Sequence, residues 1–102
     1  MPVFNKLVRD KIPEIITANG QTPFIRTLDE DEYQVQLHKK LQEEVSEYLE
    51  DVNTEELADI LEVVYALGTQ LGVTSEELEQ LRLQKALKRG GFEKRIFLES
   101  AE

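Results

Sequence analysis

The sequence predicts an all-α protein, a helical bundle of about four helices with a short extended segment or tail. Three observations predict it. Apolar residues recur at spacings of three and four through most of the chain, the helical period. Capping residues and glycines fall between those runs. The 102 residues include no cysteine, so no disulfide framework or thiolate zinc site shapes a small loop-rich fold. A chain of this length is the size of one domain, residues 1–102, with enough surface to hide for one core.

The elements follow in order. Residues Leu7 to Ala18 read as a short first helix. Pro13 is tolerated only near a helix start, so a beginning near Asp10 is the better fit. Asn19-Gly20 stops it. Gln21 to Leu28 is extended or irregular, because Thr22-Pro23 disfavours helix. A long helix starts after Thr27 to Asp31 and runs to about Asp51, with Leu37, Leu41, Val45, Tyr48 and Val52 along one stripe. Asn53-Thr54 breaks it, and Thr54 is expected to cap the next helix, with Glu55 and Glu56 in its first turn. That helix runs to about Leu71 and stops at Gly72. It is apolar nearly all round, from Leu57 to Leu67, which requires burial on several sides. One short chain offers few neighbours for this, so a homodimer, or two dimers paired as a tetramer, is expected. Thr74 and Glu77 form a capping box for a fourth helix ending at Gly90-Gly91. Phe92 to Leu98 alternates apolar and polar residues, as a strand or an arm.

The formal charge is −9. It argues against nonspecific binding of nucleic acid or an anionic membrane. No apolar run approaches the roughly 20 residues of a membrane span, and no secretory signal opens the chain. A cytoplasmic protein is the expectation. The acids are concentrated between Asp29 and Glu79, whereas Lys6, Arg9 and Lys11 at one end and Arg82 to Arg95 at the other are basic.

Some acids occupy unusual places. With Leu41 at zero and about 100° per residue, the stripe of the long helix lies within about 40°. Glu44 is about 60° away, at its margin, and Glu47 about 120° away on the same flank. Glu43 points roughly to the opposite face. On the next helix Glu56 lies about 60° from the centre of the apolar stripe, with Asp59 three residues on. A short turn makes these two helices antiparallel neighbours, so the pairs Glu44/Glu47 and Glu56/Asp59 can face each other. Two carboxylates about 4 Å apart repel by roughly 4 kcal/mol at an effective dielectric near 20. Protonation or a hard cation relieves this. An all-oxygen set suits magnesium, manganese or calcium, and magnesium with few protein ligands usually binds phosphate oxygens too. The same acids have a plainer reading, as solvated-face partners of Lys39 and Lys40 and as helix-start residues.

The string Glu43-Glu44-Val45-Ser46-Glu47 followed by Glu56-Leu57-Ala58-Asp59 resembles the EExxE…ExxD motif of the all-α nucleotide pyrophosphohydrolases. The opening Asn5-Lys6-Leu7-Val8-Arg9-Asp10-Lys11-Ile12-Pro13 and the closing Lys85-Ala86-Leu87-Lys88-Arg89-Gly90-Gly91-Phe92 resemble its MazG-like, phosphoribosyl-ATP pyrophosphohydrolase-like branch. The resemblance implies hydrolysis of a nucleoside triphosphate to monophosphate and pyrophosphate, clearing noncanonical or surplus nucleotides. It implies Glu44, Glu47, Glu56 and Asp59 as catalytic residues and ligands of magnesium, with manganese an alternative. Only eight residues, 48 to 55, separate Glu47 from Glu56, fewer than the family usually has. The shorter turn leaves open a different ligand set, or a nucleotide-binding or assembly module that has lost catalysis. Glu62 is a further candidate ligand or base. Lys6, Arg9, Lys85 and Arg89 are candidate clamps for the triphosphate, since arginine suits bidentate phosphate contacts. His38 is read as structural, and Tyr48, Tyr65 and Phe92 as core aromatics rather than base-stacking groups.

Overall fold

A computed structural model describes residues 2–102. It is all-helical, with no strand among the described residues. The helices are α1 (Ile12–Ala18), α2 (Glu30–Glu50), α3 (Thr54–Gln70) and α4 (Ser75–Arg89).

α1 starts later than the apolar pattern from Leu7 suggests. Pro13 has no N–H to donate to the Arg9 carbonyl, and its ring crowds that carbonyl, so no helix continues back through residue 9. α2 is capped by Asp29, whose Oδ1 accepts the Glu32 N–H at 2.8 Å. α3 departs from expectation at its first residue. Asn53, not Thr54, is the cap: it is extended (φ −149°) and its side chain accepts the Glu56 N–H at 3.0 Å, leaving Thr54 as the first helical residue. Asparagine is the stronger capping residue of the two. The Thr74/Glu77 capping box opens α4 with both reciprocal bonds formed, at 3.1 and 3.3 Å. Residues 90–102 form an irregular arm with no strand. Phe92 is 98% exposed, which corrects its reading as a core aromatic: nothing in one chain covers the arm.

α2 and α3 pack as an antiparallel hairpin across the three-residue turn 51–53, and α4 leaves the far end of α3 at a bend of 104°. α1 packs against none of the other helices. Gly68 sits buried where α3 meets α4. A Cβ there would lie 3.4 Å from Val73 Cγ2 and 3.6 Å from Leu78 Cδ2, ordinary contact distances. Gly68→Ala should therefore raise stability by up to about 1 kcal/mol through helix propensity. A larger residue such as Phe should lower it by about 1–3 kcal/mol through overpacking. Urea titration followed by circular dichroism measures both.

The hairpin meets along faces that are offset from the apolar stripes. On α2 the buried residues are Leu37, 2% exposed, and Glu44, 8% exposed. They mark a contact line about 50° from Leu41, on the acidic side. Val45 and Leu49, on the other flank, remain exposed, as does Val52 in the turn beyond the helix end. On α3 the contact line runs through Val63 and the half-buried Glu56, while Leu57, Leu61 and Tyr65 are exposed. The hairpin therefore leaves apolar side chains of both helices uncovered.

The chain is accordingly open. Its radius of gyration is 17.9 Å, against about 13 Å for a compact domain of this length. Its surface of 9517 Å² is about 1.6 times that of a compact monomer of 11.8 kDa. Among the described residues no single helix is long and apolar enough to cross a membrane.

Candidate metal centre

Three of the four proposed carboxylates converge. One oxygen from each of Glu44, Glu56 and Asp59 can lie within 4.8 Å of the other two. α2 delivers Glu44 from its contact face, and the start of α3 delivers the other two. The cap does part of the positioning, since the backbone N–H bonded by Asn53 belongs to Glu56 itself.

The offset of the hairpin explains why Glu44 is buried. Sequence periodicity puts it at the margin of an apolar stripe, but the stripe's margin is where α3 packs. Lys40, one turn earlier, places Nζ 3.5 Å from Glu44 Oε1 and 3.6 Å from Glu43 Oε2. Glu44 Oε2 has no hydrogen-bond partner although it is buried, and the same holds for Glu56 Oε2. A buried carboxylate oxygen without a partner carries a desolvation penalty, which at Glu44 is only partly countered by Lys40 beside the other oxygen.

Both acids respond by holding protons more tightly. Burial pushes the Glu44 carboxyl above the usual carboxylate range, the neighbouring Glu47 carboxyl adds to this, and Lys40 opposes it. Burial also raises Glu56, with Asp59 and Glu44 as the next causes and Asp51 and Glu55 adding repulsion.

This donor set fits a hard divalent cation. Oxygens around an octahedral magnesium are about 3.0 Å apart when adjacent and about 4.2 Å apart when opposed, so the trio would have to close inward from its present spacing of up to 4.8 Å. The two orphaned oxygens are free to ligate, and no softer donor is in the trio. Glu47 is exposed and outside the trio, though beside Glu44. Glu43, half-buried, and Glu62, exposed, also lie outside it.

Of the proposed phosphate clamps, one reaches the trio. Arg9 donates from Nη2 to Asp59 Oδ1 at 2.7 Å. Lys6 instead stands 5.7 Å over the Phe4 ring, a cation–π distance. Lys85 and Arg89 line a shallow depression on α4 with Leu81, Gln84 and Lys88. Asp59 and Gly68 are nine residues apart on α3, and α4 departs from the Gly68 end. Lys85 and Arg89 lie ten and fourteen residues beyond Ser75 on α4, past the bend, and so on the order of 20 Å from the trio within one chain. His38 is exposed on the uncovered flank of α2, and Tyr48 is half-buried.

The partner of Asp59 is not visible in the sequence. The 50-residue separation of Arg9 and Asp59 leaves no local pattern to find. Lys40 is legible in the sequence, since Lys40 to Glu44 has the i,i+4 spacing of a helical ion pair.

No family model matches the chain, and no solved structure matches it. A stretch of 42 residues is 62% identical to an uncharacterized protein of Mycolicibacterium smegmatis. The match covers 41% of this chain and 43% of that relative, so it spans less than half of the relative's length.

Proposed function

We propose that this protein is a metal-dependent nucleotide pyrophosphohydrolase that cleaves a nucleoside triphosphate to its monophosphate and pyrophosphate. One observation carries the metal part of the reading: two buried carboxylate oxygens, Glu44 Oε2 and Glu56 Oε2, lack partners in the trio completed by Asp59. The choice of reaction rests on the resemblance of the acidic and flanking motifs to the MazG-like enzymes. Glu44, Glu56 and Asp59 would hold magnesium, or manganese. Glu47, exposed beside Glu44, would complete the set from the solvent side. Magnesium there supplies charge neutralisation for a polyphosphate and a lower pKa for coordinated water. Arg9, beside Asp59, supplies a guanidinium for phosphate oxygens. Hydrolysis of a phosphoanhydride needs position and charge neutralisation more than covalent help, and these residue types provide both.

The working form in this reading is a homodimer in which two hairpins pair through the uncovered apolar residues Val45, Leu49, Val52, Leu57, Leu61 and Tyr65. The surface left over by one chain supports it. The excess above a compact monomer is roughly 3,600 Å², more than the area per partner of an obligate interface. The extended ends account for part of that excess.

The test is release of pyrophosphate from a panel of canonical and modified nucleoside triphosphates with magnesium. Turnover of at least one substrate, lost on adding EDTA and restored by magnesium, is expected. A folded, magnesium-loaded sample that turns over none of them overturns the enzyme. Nucleotide binding without hydrolysis would favour instead a binding module with an impaired site, a reading supported by the short 48–55 turn and by the position of Glu47 outside the trio.

A further inference from the structure

Among the side-chain hydrogen bonds of the described residues, the bond from Arg9 to Asp59 is alone in joining positions more than six residues apart. Its two ends are unlike. Arg9 belongs to the irregular stretch ahead of α1, and α1 itself packs on no other helix and has no buried residue. Asp59 belongs to the packed α2–α3 hairpin and to the carboxylate trio. Apart from the short-range Arg26–Glu32 pair, this is the ion pair that ties the N-terminal segment to the hairpin, at the place where the carboxylates gather.

We propose that Arg9 is an internal counter-ion that latches residues 2–28 to the trio, and that loading a divalent cation on Glu44, Glu56 and Asp59 opens the latch. The proposal rests on the metal reading above. The guanidinium and a dication at the trio are like charges competing for the same carboxylate, so each weakens the other's hold. Opening is easy, since both partners are more than a third exposed, at 57% and 40% of their side chains, and an exposed pair contributes little stability. Arg9 then stays tethered beside the site, where its fork can bind the phosphate oxygens of a polyphosphate that brings its own negative charge. Arg9 thus acts on Asp59 before a polyphosphate arrives and on the polyphosphate afterwards.

Reciprocity makes the idea testable. If metal loosens the Arg9–Asp59 pair, that pair must weaken metal binding by the same factor. Magnesium chloride alone is titrated calorimetrically into the full-length protein, into Arg9→Gln and into Arg9→Lys. Circular dichroism confirms that the exposed substitutions leave the helices intact. Arg9→Gln should bind magnesium about three- to tenfold more tightly than the unmodified protein, and Arg9→Lys less so, because it keeps the competing charge. Amide hydrogen exchange in residues 2–28 should speed up when magnesium is added to the unmodified protein and should already be fast in Arg9→Gln. Inorganic tripolyphosphate, at saturating magnesium, should bind Arg9→Gln at least tenfold more weakly. Unchanged or weaker magnesium binding by Arg9→Gln, or exchange in residues 2–28 that ignores magnesium, overturns the latch while leaving the metal site standing. Absence of magnesium binding in all three proteins overturns the metal reading, and the latch with it.

Discussion

Glu44→Gln is expected to weaken magnesium binding by about a hundredfold or more and, in the same molecule, to raise the melting temperature of the metal-free protein by about 5 °C. The two effects have one cause. Glu44 is a carboxylate held away from water, with one oxygen near Lys40 and the other without a hydrogen-bond partner. In the absence of a cation its charge is costly, since Glu47 and Glu56 stand nearby. Glutamine keeps the shape and removes the charge, and Lys40 retains Glu43 as a partner. About 1 kcal/mol regained corresponds to roughly 4–8 °C in a chain of this size. With a cation bound the balance reverses. Loss of a residue that merely supports a ligand already costs 10–100-fold in affinity, and a direct ligand should cost at least the upper end of that range.

The pH dependence carries the same signature. Glu44 is raised above its unfolded value near 4.5, so at intermediate pH the folded protein binds more protons than the unfolded one. Its contribution to stability is present below the unfolded pKa and is lost as pH rises through the raised folded value. Glu56 acts in the same direction. Glu79 is opposite, held low by Arg82, and its contribution is lost as pH falls, but it is common to both proteins and cancels in their comparison. The metal-free protein should therefore lose more stability than Glu44→Gln between pH 5 and pH 7.5. Differential scanning calorimetry at both values, with and without magnesium, measures all of this. A destabilised Glu44→Gln with unchanged magnesium affinity would show Glu44 to be an ordinary structural partner of Lys40.

If two copies pair as proposed, Leu61→Glu is expected to weaken that self-association by about a hundredfold to ten-thousandfold. Leu61 is one of the uncovered apolar residues of α3 and is 48% exposed in one chain. Burying a leucine stabilises by about 1.5–3 kcal/mol. A two-fold interface contains the residue twice, so about 3–6 kcal/mol is at stake, before any charge is buried. That range corresponds to the stated change in dissociation constant. Analytical ultracentrifugation across concentration decides it. The same uncovered residues should make the monomer prone to aggregate, because exposed apolar surface of this extent seeks a partner. An unmodified protein that sediments as a compact monomer at micromolar concentration would contradict the pairing itself, and Leu61→Glu would then be without effect.

The helices and their boundaries were legible in the sequence because they depend on local chemistry. Period, proline and glycine position, and capping side chains act within a turn or two. The one displaced cap, Asn53 for Thr54, is an error between adjacent residues of similar chemistry. The acidic flank was legible too, since helical geometry alone puts Glu44 and Glu56 beside apolar stripes. Which flank of each stripe receives the neighbouring helix was not legible, because a stripe on a wheel has no preferred side until a second helix chooses one.

That choice decided the site. Sequence by itself determined four helices, a hairpin with acids along one margin, and a surplus of apolar surface for a single short chain. Tertiary structure alone placed α3 on the acidic margin of α2. That burial left Glu44 and Glu56 with orphaned oxygens, kept Glu47 in solvent and turned Val45, Leu49, Leu57 and Leu61 outward. It also brought Arg9 to Asp59 across 50 residues and kept Lys85 and Arg89 away. The physical reason is range. Helix formation and capping are settled by near neighbours in the chain, whereas packing offsets and ion pairs between distant segments are settled by the summed burial and charge of the whole fold.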